Sequence, residues 1–378
     1  MTSRRPLTVV HVTAERGFSG GEVQVFLLLE GLRERGHHGV LVCPSHSRSA
    51  DEARRRGFQT VALPMRSGAS PRSLFDLTRE LRRIGPDLVH LHSGRASWWG
   101  GLAAWRLGLP ALATRRMDRA VRRGWHTRWL YAHALRAVVA ISDGVAERLL
   151  AGGVPERAIR VVPSAVEPGR LLPQRSREAV RQRLGVAPDT PCLLAAAALV
   201  RRKGLDVLLE ALAELTAADA SPTLWIAGEG PQRRALEQQA RALGIGGRVR
   251  LLGQRDDVPE LLAACDVFVL PSRQEGLGVA ALEAMALGRP VVASRVGGLG
   301  GAVVHEHTGL LVPPEDARAL RDALARLLRD AELRARLGSA GPRHVAERYA
   351  AGSMVDAYER LYEELLGAQG ALAPSLAR

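Results

Sequence analysis

The feature that most narrows the fold is a rhythm. Strand-length apolar runs alternate with helix-length periodic segments, and the alternation runs through the chain twice. In the first half the runs predict strands at Leu7–Val12, Val40–Cys43, Thr60–Leu63, Asp87–Leu91, Ala111–Thr114, Ala137–Ile141 and Ile159–Val162. A glycine turn over 17–21 and a helix from Glu22 to Arg35 follow the first strand, and helical patterns lie between most of the others. In the second half strands are predicted at Cys192–Ala197, Thr223–Ala227, Val249–Leu252, Val267–Leu270 and Pro290–Ala293. Helices are predicted there at Gly204–Thr216, Pro231–Leu243, Val258–Ala264 and Leu277–Leu287, and the end is helical over Ala317–Leu328, Ala331–Glu347 and Ser353–Leu366.

Strand–helix–strand repetition of this kind builds a parallel sheet covered by helices on both faces. The fold class is α/β, in two Rossmann-like, doubly wound domains. At ~150 residues per domain the length of 378 agrees with two. The pattern loosens between Pro163 and Pro191, where prolines at 163, 168, 173, 188 and 191 punctuate it around one short polar helix. The expected division is therefore a first domain over 1–165 joined by the terminal helix 350–368, a hinge over 166–190, and a second domain over 191–349. Open α/β sheets bind ligands at the carboxyl ends of their strands, so two such domains are expected to face each other across a ligand cleft.

The residues with chemistry in them concentrate in the second half. Glu275-Gly-Leu-Gly-Val-Ala-Ala-Leu-Glu283 follows the predicted strand Val267–Leu270 and Pro271-Ser272. Gly276, Leu277 and Gly278 open the next helix, where small residues let backbone N–H groups approach an anion with the helix dipole behind them. Glu283 lies further along the same helix, where a carboxylate can accept two ribose hydroxyls. The plainer alternative makes Glu275 a helix cap and Glu283 a solvated residue. Arg201, Arg202 and Lys203 sit at a predicted helix start, where the dipole disfavours cations unless an anion sits among them. The alternative there is a solvated basic loop. Lys203 is the only lysine in the chain.

The flanks of this string extend it. Asp266-Val-Phe-Val-Leu-Pro-Ser precedes the glutamate pair, and Ala284-Met-Ala-Leu-Gly-Arg-Pro-Val-Val-Ala-Ser, Gly297-Gly298 and Thr308-Gly-Leu-Leu-Val-Pro-Pro314 follow it. With Gly228-Glu-Gly-Pro231, Arg202-Lys-Gly204, Gly20-Gly21, Ile141-Ser142 and the tyrosines Tyr358 and Tyr362, the chain resembles the retaining glycosyltransferases of family 4 along nearly its whole length. The resemblance implies the GT-B fold and transfer of a sugar from a nucleotide-sugar to a hydroxyl acceptor with retention. It gives Glu283 to the ribose and Glu275 to the donor sugar. Gly276, Leu277 and Gly278 go to the diphosphate or sugar and Lys203 to the leaving diphosphate, with Arg202 or Arg201 supplying the charge of an arginine the family usually has. Gly228 is a further candidate for donor binding. Gly20 and Gly21 are read as letting the first loop approach the donor or acceptor, the alternative being a plain turn. It also implies no cofactor and no metal, and the absence of an Asp-x-Asp motif agrees.

Three positions depart from the family pattern. Ala197-Ala198-Leu199 stands where a Gly-Arg-Leu string is usual, Gly300-Gly301 replaces a Pro-Glu, and Arg116 takes the place of a histidine. His90 and His92 alternate near a strand end, and His92, closer to that end, is the candidate for a cleft-facing catalytic group. The alternative for both is a packed histidine with a satisfied ring. A nucleotide-sugar epimerase of the same fold is the second enzymatic reading, and a basic nucleic-acid-binding protein the non-enzymatic one.

Charge and composition bear on partners and location. The net charge is +14, yet all but one of the 53 basic residues are arginine and the chain has no asparagine, a sign of codon bias. Aromatic residues are 4%, too few for a stacking platform, so no nucleic acid is expected. Arg115 to Arg136 holds seven arginines and one acid, with Trp125, Trp129 and Tyr131 interleaved. Together with Met65–Arg72 and Arg82-Arg83 this suits an anionic membrane surface or a phosphate-bearing acceptor. A glycan or lipid-linked acceptor, as in lipopolysaccharide synthesis, is expected. The longest apolar run, Pro191–Val200, is about half of the ~20 residues that cross a bilayer. Cys43, Cys192 and Cys265 lie far apart, which excludes a disulfide framework. The sequence starts straight into a strand, so no leader is expected, and the location expected is the cytoplasm, with peripheral contact to the inner membrane face.

Overall fold

The computed structural model describes residues 5–65, 71–121, 124–215 and 221–370. The chain divides into two units, residues 1–165 with 351–378, and residues 166–350. In the first, seven strands form one parallel sheet: β1 (Thr8–Val12), β2 (His38–Pro44), β3 (Gln59–Leu63), β4 (Leu88–Leu91), β5 (Ala111–Arg115), β6 (Ala137–Ala140) and β7 (Ile159–Val161). Their order across the sheet is β3-β2-β1-β4-β5-β6-β7. The strands read as near-continuous apolar runs because helices cover both faces. Val9, Val10, Val12, Val40, Leu41, Val42, Leu88, Val89 and Leu91 are all buried.

The terminal helix Ala351–Gly370 belongs to this unit. Met354, Val355, Tyr358, Leu361, Tyr362 and Leu365 enter a core shared with Leu28 and Leu32 of the helix Gly20–Glu34 and with Leu112 and Val139 of the sheet. The Arg35 guanidinium donates to Glu359 at 3.0 Å, and the His37 imidazole bonds the same carboxylate at 3.0 Å.

The second unit repeats the design with six parallel strands: β8 (Cys192–Ala196), β9 (Thr223–Ala227), β10 (Val249–Gly253), β11 (Val267–Leu270), β12 (Val291–Ser294) and β13 (Gly309–Val312), in the order β10-β9-β8-β11-β12-β13. Strand β13 falls in a stretch read from sequence as a motif only. Its four residues, started by a glycine and stopped by two prolines, are too few to show a period.

Residues 166–190, the expected hinge, fall within this second unit. The short helix Arg177–Arg183 is fixed there by arginines. Arg181 is almost wholly buried, and its guanidinium donates to the Asp266 carboxylate at 2.7 Å and to the carbonyls of Ala264, Pro188 and Thr190. Arg177 donates to the other oxygen of Asp266 at 2.6 Å, and the Cys192 N–H to the same carboxylate at 2.7 Å. Among the described residues no helix is long and apolar enough to cross a membrane.

Candidate functional site

In both sheets the strand order reverses at one point, between β1 and β4 in the first and between β8 and β11 in the second. Loops that leave the carboxyl ends of such a pair run in opposite directions and leave a crevice, which is where open α/β sheets take ligands. Most of the residues singled out from sequence lie on elements that leave these strands; Gly228 follows β9 instead.

In the second unit, β8 leads into a tight turn over Arg201–Lys203 and then the helix Leu205–Ala213. Strand β11 leads into the loop that carries Glu275 and then the helix Val279–Ala286. The two loops meet: the Lys203 ammonium donates to the Glu275 carboxylate, both side chains being largely buried, and the Ser272 hydroxyl donates to the same carboxylate at 3.2 Å. Arg201 and Arg202 are exposed at the start of the helix, and their carbonyls accept from Arg273.

Arg273 was not legible as part of the site. Its guanidinium donates to both oxygens of Asp206 at 2.7 and 2.8 Å and to Glu315 at 2.8 Å, and it pins the Glu275 loop to the Arg201–Lys203 turn. Its only sequence signal is its place two residues before Glu275.

Gly278 caps the helix in the left-handed region, at φ 87°, and a Cβ there would stand 2.3 Å from Leu299 Cδ2. Only glycine fits that turn. Helix therefore starts at Val279, later than the predicted Leu277, and Glu283 lies just over one turn in. Its carboxyl is pushed up to about 7 by burial alone. Among the described residues neither a cation nor a hydrogen bond offsets the desolvation. Gly228 is required for a different reason: a Cβ would come within 2.0 Å of the Ala197 carbonyl oxygen, because the loops after β8 and β9 lie against each other.

In the first unit, Gly20 and Gly21 begin the helix Gly20–Glu34, capped by Ser19 and by Glu22, whose carboxylate accepts from the Ser19 N–H at 2.9 Å. His92 lies just past β4 and is buried, as are His90 on β4 and His11 on β1. His11 and His90 are register partners on neighbouring strands, so three imidazoles share one face at the reversal point. His11 Nδ1 and His92 Nε2 share a hydrogen bond of 3.0 Å. His90 is held on both sides, by the Tyr362 hydroxyl at 2.6 Å and the Thr114 hydroxyl at 2.7 Å. Its packed, satisfied ring fits the plainer of the two sequence readings.

Burial pulls the His11 imidazole down to about 3, with the Arg116 charge adding to it. Burial likewise holds His90 and His92 well below the ordinary histidine range, so all three are neutral at pH 7 and keep a lone pair.

This cluster corrects the expectation that the chain has no place for a metal ion. One ring nitrogen from each of His11, His90 and His92 lies within 4.8 Å of the others, and neutral imidazoles are the form that ligates transition metals. His11 Nε2 is buried without a hydrogen-bond partner among the described residues. His90 would give up one of its two hydroxyl partners to join the set. His11 went unnoticed in the sequence because pairing between strands some 80 residues apart leaves no local pattern.

Arg116 reaches into the same corner. Its guanidinium donates to His92 Nδ1 at 3.3 Å and to the His92 carbonyl at 3.4 Å, and a Cβ on Gly21 would stand 3.7 Å from its Cδ. In the same unit Trp125 is 83% exposed and Trp105 51%, Arg119 and Arg128 are exposed, and Arg128 lines one surface depression with Trp125 and Trp129. Trp129 packs edge-on against Trp105 at 5.1 Å, and Tyr131 is buried. Arg122 and Arg123, and positions 66–70 of the other basic stretch, lie outside the described residues.

Comparison with known proteins bears on both units. Residues 18–170 match the family described as Glycosyltransferase Family 4, and residues 176–344 the family described as Glycosyl transferases group 1. A D-inositol 3-phosphate glycosyltransferase of Saccharomonospora viridis is 37% identical over 75% of this chain and 71% of its own length. The lipopolysaccharide core biosynthesis glycosyltransferase LpsD of Rhizobium meliloti is 29% identical over 94% of this chain and 98% of its own. Among solved structures, Anabaena HepE in complex with UDP-glucose superposes with a TM-score of 0.82 at 20% identity, covering 96% of this chain and 100% of that one.

Proposed function

Because the chain belongs to glycosyltransferase family 4, with the GT-B fold and a nucleotide-sugar donor, we propose that it binds that donor through the reversal point of its second sheet and transfers the sugar with retention of configuration. The observation that carries the assignment of residues is Glu283, a half-buried carboxyl whose desolvation no cation or hydrogen bond offsets among the described residues. Two ribose hydroxyls are the donors it lacks. Lys203 and the exposed Arg201 and Arg202 meet the leaving diphosphate, whose growing charge they neutralise as the glycosidic bond breaks. Glu275 holds the Lys203 ammonium in place and lies beside the sugar. Gly276, Leu277 and Gly278 offer backbone N–H groups to the phosphates. Gly228 keeps the neighbouring loop close by its lack of a side chain. In the first unit, His92, Gly20 and Gly21 line the path of a sugar. The test is calorimetric titration of UDP, GDP and ADP into the protein and its Glu283→Gln variant. Loss of affinity for the preferred nucleotide in a folded variant supports the ribose role, and unchanged affinity ends it.

The acceptor we propose is a lipid-linked or lipopolysaccharide core glycan, reached from the inner face of the membrane. The lipopolysaccharide activity of the Rhizobium relative supports this reading, and so do the exposed Trp125 and Trp105 among exposed arginines. Tryptophan settles at the headgroup level and arginine is drawn to anionic lipid. The protein would then be cytoplasmic and peripheral.

A further inference from the structure

We propose that Arg116 recognises an anion, and that the sugar reaching the first unit carries a carboxylate or phosphate group. The proposal deepens the transfer reaction above and rests on it. Arg116 follows β5 immediately and stands beside the β1–β4 reversal point. Its guanidinium has no carboxylate partner among the described residues. The two acids that could supply one are committed elsewhere: Asp118 accepts from Arg148 at 2.9 Å, and Glu22 closes the cap with Ser19. Among the described residues the one side chain to which Arg116 is hydrogen-bonded is His92, which is not a carboxylate, and the contacts are long, at 3.3 Å. Arg116 Nε is buried with no hydrogen-bond partner among the described residues.

A guanidinium presents its N–H groups as a planar fork that matches two oxygens of a carboxylate or phosphate. Left half-buried without such a group, it forgoes hydration, and the only carboxylate acting on it among the described residues is Glu22, which makes no ion pair with it and is held by the Ser19 cap. Gly21 brings bare backbone against the Arg116 side chain, a Cβ there standing 3.7 Å from its Cδ, and the preceding Gly20 faces open space, with nothing within 4 Å of a Cβ built on it. An oxyanion entering there meets the fork of Arg116 and the first turn of a 15-residue helix. A neutral hexose offers the fork only hydroxyls, which leave its charge unanswered.

The anion has two possible carriers, the donor sugar or the acceptor, and paired probes separate them. Isothermal calorimetry on the EDTA-treated full-length protein compares UDP-glucuronate with UDP-glucose, and glucose 6-phosphate with glucose. The expected result is a tenfold or greater preference for the anionic member of one pair. Arg116→Gln is expected to abolish that preference while UDP affinity stays unchanged, and Arg116→Lys to keep part of it. Preference in the first pair assigns the anion to the donor, and in the second to the acceptor. Equal affinity within both pairs overturns the proposal, as does a preference that survives Arg116→Gln. A preference that appears only on adding zinc also overturns it, since an ion on the histidine cluster would then carry the anion. If UDP itself does not bind, the donor site has failed; if UDP binds and no preference appears, this inference alone has failed. Should Arg116→Gln not fold, Arg116→Lys and the four probes on the parent protein still decide.

Discussion

Glu283 ties a stability effect to a binding effect at a single residue. Its carboxyl is raised from the usual range to about 7, so the folded protein holds a proton there that the unfolded chain gives up near 4.5. A raised folded value means that its contribution to stability is fully present below pH ~4.5 and is lost as pH climbs through 7. Removing the charge should relieve that penalty. Glu283→Gln is expected to raise the ligand-free melting temperature at pH 8 and to leave it nearly unchanged at pH 4.5. The ceiling is on the order of 3 kcal/mol at 1.36 kcal/mol per pH unit. The same variant should bind nucleoside diphosphate more weakly, so stability and affinity move in opposite directions. Binding to the parent near pH 7 should also release a fraction of a proton, because ribose hydroxyls favour the carboxylate. Titrations in buffers of different ionisation enthalpy measure that release, and equal apparent enthalpies in all of them would exclude it. Lys203 behaves differently. The solvated-loop reading gives Lys203→Ala almost no folding cost, but the ammonium is paired with Glu275 in largely buried surroundings. Lys203→Ala should therefore destabilise by ~1–3 kcal/mol, through a carboxylate left unanswered. It should also slow turnover by the ~2–4 kcal/mol typical of a lost transition-state contact. Adding Glu275→Gln should return much of the stability and none of the turnover, as chemical denaturation and initial rates would report.

Among the elements, what was legible depended on the range of the signal. Strand runs such as Thr223–Ala227 and Val267–Leu270 stand where the apolar pattern puts them, because buried parallel strands are continuous apolar segments. The loop after β11 was legible for a similar reason, since its glycines and two glutamates follow one another directly. Arg273, His11 and the Lys203–Glu275 pair depend on contacts between separate strands, and no local pattern encodes which loops meet. The segment over 166–190 shows the limit from the other side. Its prolines do break the rhythm, but two arginines carry its short helix into the second unit by way of Asp266. Replacing one of them tests that account. Arg181→Leu removes one of the two guanidiniums on Asp266, which keeps Arg177 and the Cys192 N–H, and takes from the Pro188 and Thr190 carbonyls the donor that Arg181 gives them. A loss of ~1–3 kcal/mol is expected, the cost of leaving buried acceptors unsatisfied. The conservative variant Arg181→Lys should recover little, since a point charge cannot reach acceptors arrayed around a planar fork. Urea denaturation measures both, and a loss under ~1 kcal/mol for Arg181→Leu would show that the helix is held by its apolar contacts instead.

For the whole molecule, the question is whether a net charge of +14 is a property of the surface at large or of one working face. Codon bias alone would spread arginine evenly and leave its partners to chance. Many arginines are in fact spent inside the fold, as with Arg181 on Asp266 and Arg273 on Asp206. Arg119 and Arg128 are exposed, Arg128 shares a surface depression with Trp125, and exposed arginine with exposed tryptophan is the combination an anionic bilayer surface attracts. Each arginine that reaches the surface adds ~1 kcal/mol of attraction, and the inserted indole adds apolar contact that salt does not screen. The protein is therefore expected to float with vesicles containing phosphatidylglycerol at low ionic strength, and not with neutral phosphatidylcholine vesicles. Flotation should weaken as salt rises, because the screening length falls from ~10 Å at 0.1 M to ~3 Å at 1 M. Reversing Arg119 and Arg128 to glutamate should reduce flotation at low salt without changing nucleotide affinity. Trp125→Ala should reduce it at low and high salt alike. Failure to float with anionic vesicles at low salt would remove the membrane from the account of this surface, and equal flotation with both lipids would assign the binding to the tryptophans and leave the arginines without a part in it.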